Sequence, residues 1–436
     1  MKRFDGFSFS RAWFVLSVAI LGMGYGIVAN QWGWFPSPLA ERAWRQMNRM
    51  MNERFYPHLM PRTYEREGTR TPEPAKMQPG LTLITSWWEG SKGVRLVDGK
   101  GQVVHEWKTE GTKLFPDSVD VKSDPDLRVL HGTHLFPNGD LLLNVDYTGT
   151  ARVNACGDVV WRLPEHTHHS IARADDGSFW IPGERVSSTQ FPGLGQVAKM
   201  EQILHISEDG TVLDRLNVLD ILFGNNELKR HLYRFADSKP QGDIGHLNDV
   251  EPLGASVADQ YPLFEAGDLL VSLRDLHLVL VVDPGSGGVK WHVSVPHILQ
   301  HDVDFFGNGW IGIFDNNRDF TKRGDMLGGT RIVAVQPGSD STRVLFPTPH
   351  SDPFYTAFRG KWQMLKNGNM LLTEARSGRV VEVTADGRTV WEWIHEPYSD
   401  SLVPLVTKAT RVDVTHEEVA SWPCSSVDSV RVSEQR

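Results

Sequence analysis

Cysteine is nearly missing from this chain. Cys156 and Cys424 are the only two in 436 residues, with no CxxC pair and no zinc-finger or haem-attachment spacing, so a thiolate metal centre is excluded. Two free thiols and a single disulfide in an exported chain are both open readings, and the sequence leans to free thiols. Excess positive charge is missing as well. Lys and Arg number 45 against 54 Asp and Glu, a formal net charge of −9, which is no surface for nucleic acid. Helical periodicity after residue 80 is confined to "VLDILFGNNELKRHLYRF". Charge of either sign is absent from Ala12 to Ala40.

That last absence carries an expectation. The apolar part of the run, "AWFVLSVAILGMGYGIVA", is about long enough to span a bilayer. Lys2, Arg3 and Arg11 precede it, and Trp32 and Trp34 follow where interfacial aromatics belong. No small-residue cleavage site ends it. The reading is a cytoplasmic tail over 1–11 and an uncleaved transmembrane helix over 12–34, with the remainder exported. Arg42, Arg45 and Arg49 on the far side weaken the charge asymmetry that sets this orientation. Residues 35–79 read as a stalk and linker. "SPLAERAWRQMNRMMNERF" places Leu39, Ala43, Met47 and Met50 at helical spacing, and "PRTYEREGTRTPEPAKMQPG" is polar and proline-rich.

What the chain does have is glycine, 40 residues, and tryptophan, 15 residues, which suits tight turns between aromatic-packed strands. Six phrases share one pattern of apolar alternation, a Gly/Asp turn and more alternation, often ending in Trp. They are "GVRLVDGKGQVVHEW", "TARVNACGDVVWRL", "EQILHISEDGTVLDRL", "LVLVVDPGSGGVKWHV", "TRIVAVQPGSDSTRVLF" and "GRVVEVTADGRTVWEW", each a β-hairpin by period and turn chemistry. A second hairpin phrase precedes five of them. Its clearest copies are "HGTHLFPNGDLLL", "HSIARADDGSFWI", "HDVDFFGNGWIGIF" and "GKWQMLKNGNMLLT", with a longer copy at "GHLNDVEPL". Two hairpins per unit make one four-stranded blade. The fold class is therefore all-β, a six-bladed β-propeller over 80–410, with 411–436 as a C-terminal tail.

Equivalent positions in blades lie on a ring around the propeller axis. Aligned on the Asn/Asp-Gly turn, the first position of the second phrase is His131, His169, His301 and Gly360, with His246 in the longer copy. Four histidines should thus meet in the central channel. Packing roles compete with this. His131 reads as structural, satisfied by His134 within "HGTH". His166 and His168 read as loop neighbours of His169, and His105, His205, His277, His292 and His395 as surface or packing residues. His246 and Asn248 stand two apart and share a direction in an extended segment. Arg274, at the end of the next strand, calls for an anion if it points inward, because a buried guanidinium is costly alone.

Three stretches, "GDIGHLNDV", "SLRDLHLVLVVDP" and "LQHDVDFFGNGWIGIFDNN", resemble the bacterial arylsulfotransferases, and the likeness runs over roughly residues 80–400. The resemblance implies a propeller that moves a sulfuryl group from an aryl sulfate ester to a phenolic acceptor, independently of PAPS, through a sulfohistidine in ping-pong order. It implies His301 as the nucleophile and His246 and Arg274 around the sulfuryl group. Asn248 falls on the asparagine beside that histidine, and His169 on a further sulfate-binding histidine, a place His168 competes for. It implies no metal, no other cofactor and no nucleic-acid partner. With the anchor, it places the enzyme at the inner membrane with its propeller in the periplasm. Where the family has an N-terminal β-domain used in dimerisation, this sequence reads as an anchor and short linker, and Cys156 and Cys424 do not match the paired nearby cysteines of some members. Two other classes stay open: a non-catalytic propeller that binds a ligand or partner, and a metal site of His169, His246 and His301, against which Arg274 argues by repulsion.

Overall fold

All six hairpin phrases fold as the third and fourth strands of antiparallel sheets, and the second phrases supply first and second strands. The computed structural model describes residues 9–32, 58–88, 91–118, 128–191, 195–235, 243–339 and 341–424. Six sheets stand as six propeller blades. From the axis outward, blade 2 is Leu130–Leu135, Leu141–Val145, Gly149–Val153 and Val159–Leu163. Blade 4 is Leu247–Pro252, Leu269–Leu273, Leu278–Val282 and Val289–Val293. Blade 5 is His301–Gly307, Trp310–Asp315, Arg331–Val335 and Thr342–Phe346. Blades 3 and 6 repeat the plan, with inner strands Ala172–Arg173 and Trp362–Met364.

Every blade is covered on both faces by its neighbours, so its middle strands are continuous apolar runs and not alternating ones. Leu269–Leu273 and Leu278–Val282 are buried at every position. A separate apolar cluster fills each seam: Leu96 with Leu143 between blades 1 and 2, Ile203 with Leu273 between 3 and 4, Val281 with Ile313 between 4 and 5. Each large side chain so buried contributes about 1.5–3 kcal/mol. The tryptophans that end the hairpin phrases stitch the seams with directed bonds. Trp107 Nε1 donates to the Gly139 carbonyl at 3.0 Å, Trp161 Nε1 to Glu208 at 3.1 Å and Trp391 Nε1 to Gly99 at 3.0 Å, each in a turn of the next blade. Gly139 needs its glycine twice over: φ is +84°, and a Cβ would meet the Trp422 ring at 2.6 Å.

Both ends of the propeller depart from the sequence reading. Lys408–Val412 is the inner strand of blade 1, paired from Lys408 with Thr85 to Val412 with Leu81, so the chain end closes the circle. The expected tail from 411 therefore begins inside a strand. It continues as a helix, His416–Ser421, whose Thr415 and Glu418 form a capping box, and Trp422 Nε1 then donates to Pro137 in blade 2 at 2.9 Å. Cys424 is bonded to Cys156 across 268 residues, with Cα atoms 5.2 Å apart, which corrects the free-thiol reading. The closing strand carries Cys424 around the ring to a turn of blade 2 that sequence distance hides.

The stretch expected as stalk and linker also joins the fold. Leu59–Pro61 pairs with Leu402–Pro404, and Gly68–Arg70 adds a fifth strand to blade 6 along Thr389–Ile394. Arg66 grips Glu392 with two bonds, of 3.0 and 2.7 Å. The expected amphipathic stalk helix and the three arginines after the anchor lie outside the described residues. Residues 1–56 and 57–436 are separate compact units. In the first, Phe9–Trp32 is a helix with Phe14, Leu21, Met23 and Ile27 exposed. No helix among the described residues is long and apolar enough to cross a membrane.

Candidate active site at the channel mouth

All inner strands run the same way along the axis, so their first residues gather at one mouth of the channel. His301 opens the inner strand of blade 5, His131 is the second residue of that of blade 2, and His246 directly precedes that of blade 4. His169 sits at the hub. Its ring centroid is 4.5 Å from His131, 5.0 Å from His246 and 6.4 Å from His301. The ring expected from the repeat is present. His168 lies against Tyr147, with ring centroids 4.7 Å apart and planes tilted by 38°, and meets His169 edge-on at 4.9 Å with a 2.8 Å contact between Nδ1 atoms. His169 and His246 both adopt left-handed backbone, φ +56° and +51°, a strain that residues at binding sites often carry.

A second ring lies beside the first, built from the residue just past the second strand of a blade. It comprises Asp146 after Leu141–Val145, Arg274 after Leu269–Leu273 and Asn316 after Trp310–Asp315. Asn316 decides the state of His301. Its Nδ2 donates to the carbonyls of Thr356 and Arg359, at 2.8 and 2.7 Å. Its Oδ1 must then be the atom 2.6 Å from His301 Nδ1, and an amide oxygen only accepts. His301 is held as the Nδ1–H tautomer with its lone pair on Nε2, which accepts the Arg359 backbone N–H at 3.2 Å. Burial, then the Arg274 charge, drive the His301 pKa well below the ordinary histidine value, so the imidazole is neutral at neutral pH.

Arg359, three residues before the inner strand of blade 6, completes the positive side. Its Nη2 is 3.8 Å from Asp146, while Nη1 is buried with no hydrogen-bond partner among the described residues. Arg274 is steered by its own neighbour, Nε to Asp275 at 2.8 Å, and its backbone N–H donates to the His246 carbonyl. Asp146 organises the opposite side, accepting from His131 Nδ1 at 3.2 Å and from the His169 backbone at 3.1 Å. His131 is thus satisfied by Asp146 and not by His134. Asn248 donates to the Gln300 carbonyl at 2.8 Å, next to His301, and its own oxygen is buried without a partner among the described residues.

Of the residues singled out from sequence, His169, His246, Arg274 and His301 converge, and Asn248 braces the start of the His301 strand. Asp146, Asn316 and Arg359 were missed. The first two stand at one repeat position, the end of "LLLNVD" and of "WIGIFDN", and aligning the second strands would have found them. Arg359 adjoins Gly360, where the repeat lacks its histidine. His131, Asp146 and His169 bring ligand atoms within 4.8 Å of one another. Asp146 is already committed to three neighbours, and two guanidinium groups stand close by. This donor set suits a tetrahedral anion better than a cation.

A family model described as arylsulfotransferase (ASST) matches residues 132–396, more than half of the chain. A search of curated proteins finds no match. Among solved structures, a protein of unknown function from Bacteroides caccae is similar at 13% identity and a TM-score of 0.48, over 77% of this chain and 100% of that one. A streptogramin B lyase is similar at 12% identity and 0.40, over 81% and 98%. Virginiamycin B lyase from Staphylococcus aureus is similar at 10% identity and 0.36, over 66% and 86%. Likeness at this level carries no argument about the site.

Proposed function

This chain belongs to the arylsulfotransferase family, and on that premise we propose that it moves a sulfuryl group from an aryl sulfate ester to a phenol through a sulfohistidine at His301. The observation that carries the proposal is the fixed Nδ1–H tautomer of a neutral His301 beside two guanidinium groups. In the first half-reaction His301 Nε2 releases the Arg359 N–H and attacks sulfur with the freed lone pair, the S–N bond forms and the S–O bond to the ring breaks. The leaving phenolate takes a proton from a protonated histidine of the ring. In the second half the acceptor phenol returns that proton, its oxygen takes the sulfuryl group and His301 is released neutral. Charge on the three sulfuryl oxygens is met by Arg274, Arg359 and the histidines, positioned before the reaction starts. As Nε2 gains its fourth bond, positive charge spreads to Nδ1–H, where the Asn316 oxygen is already in place.

The test is a donor-only experiment. Wild-type protein with 4-nitrophenyl sulfate should release one equivalent of nitrophenol and add one SO₃ to the peptide that carries His301. His301→Asn should fold and do neither. Transfer by His301→Asn at the wild-type rate would refute the nucleophile. No release by the wild type under any condition would leave a ligand-binding propeller as the reading. We further propose that the protein acts outside the cytoplasm, held at the inner membrane by its N-terminal segment. The Cys156–Cys424 bond, which persists in oxidising compartments, and the exposed apolar residues of Phe9–Trp32 support this. Alkaline extraction should leave the full-length chain in the membrane fraction, and protease should reach the propeller in spheroplasts. A soluble full-length chain, or a propeller shielded until lysis, would refute it.

A further inference from the structure

Two histidines of the ring are each paired with a carboxylate, and the pairs differ in their surroundings. His131 and Asp146 lie inside, with side chains 2% and 8% exposed. His246 and Asp243 lie at the rim, at 13% and 35%. Asp243 Oδ2 is 2.5 Å from His246 Nδ1, so this nitrogen donates and Nε2 is the atom free to exchange a proton with a bound group. The His246 ring stands edge-on to His169, with centroids 5.0 Å apart and planes at 86°. Of the ring histidines His246 is the least buried, since His131, His169 and His301 are 2%, 6% and 3% exposed.

The segment around His246 is pinned with unusual care. Glu201, on the third-blade strand Gly195–Ile206, accepts the Gly245 N–H at 2.7 Å and also the Leu247 N–H, one bond on each side of His246. From the other direction the Gly245 and His246 carbonyls accept the N–H groups of Asp275 and Arg274, at 2.9 and 3.1 Å. Gly245 leaves no room for a side chain, since a Cβ would sit 2.9 Å from the Glu201 carboxyl. Four backbone bonds thus hold a histidine in left-handed conformation, which fixes where its Nε2 points.

We propose that Asp243 is a positioning residue that makes His246 the proton donor to the leaving phenolate and the proton acceptor from the incoming phenol, with Glu201 as the clamp that holds its loop. This rests on the sulfuryl-transfer reading above. In the first half-reaction the imidazolium Nε2–H of His246 passes its proton to the aryl oxygen as the S–O bond breaks. The Asp243 carboxylate stabilises the imidazolium before the transfer and keeps the neutral ring as the Nδ1–H tautomer after it. In the second half the phenol O–H proton goes to Nε2 as the new O–S bond forms. Proton and sulfuryl group are both conserved over the cycle.

A proton donor matters most for poor leaving groups. Asp243→Asn should lower turnover of phenyl sulfate by about 100-fold and that of 4-nitrophenyl sulfate by only a few-fold, within the range for a lost general acid. Asp243→Glu should recover most of the phenyl sulfate loss. Asp146→Asn, which disturbs the inner pair, should slow both donors alike. As a measurement free of any folding defect, the wild-type enzyme should show a solvent deuterium effect with phenyl sulfate and little with 4-nitrophenyl sulfate. Equal loss on both donors in Asp243→Asn, or equal isotope effects in the wild type, would overturn the assignment while leaving His301 chemistry intact. If the wild type transfers from neither donor, the sulfuryl-transfer reading fails and this inference falls with it.

Discussion

Replacing Asn316 by alanine tests the reading at its narrowest point. The residue is fully buried and makes three bonds: acceptance from His301 Nδ1 at 2.6 Å, and donation to Thr356 and Arg359 at 2.8 and 2.7 Å. Thr356 keeps a second partner, the Thr330 hydroxyl at 3.3 Å, so truncation strands mainly the Arg359 carbonyl and the His301 N–H. Two stranded buried groups, at about 1–3 kcal/mol each, predict a stability loss of roughly 2–6 kcal/mol. Against the roughly 5–15 kcal/mol of an ordinary domain the variant should still fold. The kinetic effect has a different origin. The bond from His301 Nδ1–H becomes charge-assisted only once Nε2 attacks sulfur, so it is stronger in the transition state than before it. Its loss, about 1.5–3 kcal/mol, predicts a roughly 10- to 150-fold slower burst. Stopped-flow release of nitrophenol from 4-nitrophenyl sulfate, without acceptor, measures that burst. Folded Asn316→Ala with a wild-type burst rate would refute the claim that this amide sets the nucleophile.

Activity should survive dialysis against a strong chelator; loss restored by one divalent ion would favour a metal site among the ring histidines, whether His169 with His246 and His301 or His169 with His131 and Asp146. Arg359→Met should fold and slow sulfuryl transfer at least about 10-fold, because its buried Nη1 is the donor left for the anion; wild-type kinetics would remove it from the site. Reduction of Cys156–Cys424, or Cys156→Ser, should cost about 2–4 kcal/mol in denaturant unfolding, and an unchanged midpoint would show that strand closure alone suffices. Deeper in the channel, burial raises Glu251 to about 7 and Asp302 to about 6, although Lys361 draws Asp302 the other way. A carboxyl whose folded pKa is raised favours the fold at low pH and loses that contribution as pH climbs through the folded value. Glu251→Gln should therefore gain melting temperature relative to wild type between about pH 5 and pH 8; a constant difference would refute the shift.

The blades were legible because they are local. A hairpin needs only its own alternation and its own Gly turn, and six near-copies of such a phrase determine a closed array whose equivalent residues share a level. From that alone His169, His246 and His301 could be set on one ring and Arg274 near it. The anchor expectation was legible for the same local reason, an uncharged apolar run that is read without reference to the rest of the fold. Strands of three residues, Leu59–Pro61 and Gly68–Arg70, are too short to show a period, and only their partners across the fold make them strands. Cys156 and Cys424 meet because the last strand closes the first blade, a contact between chain ends that no spacing records. Sequence supplied the imidazole of His301, but its reactive tautomer depends on an amide whose orientation is set by two carbonyls 40 and 43 residues downstream. The acid–base assignment of His246 likewise depends on which carboxylate lies within 2.5 Å and which lies sealed inside. Residue type is a property of the chain, whereas hydrogen-bond direction and burial exist only once the ring has closed.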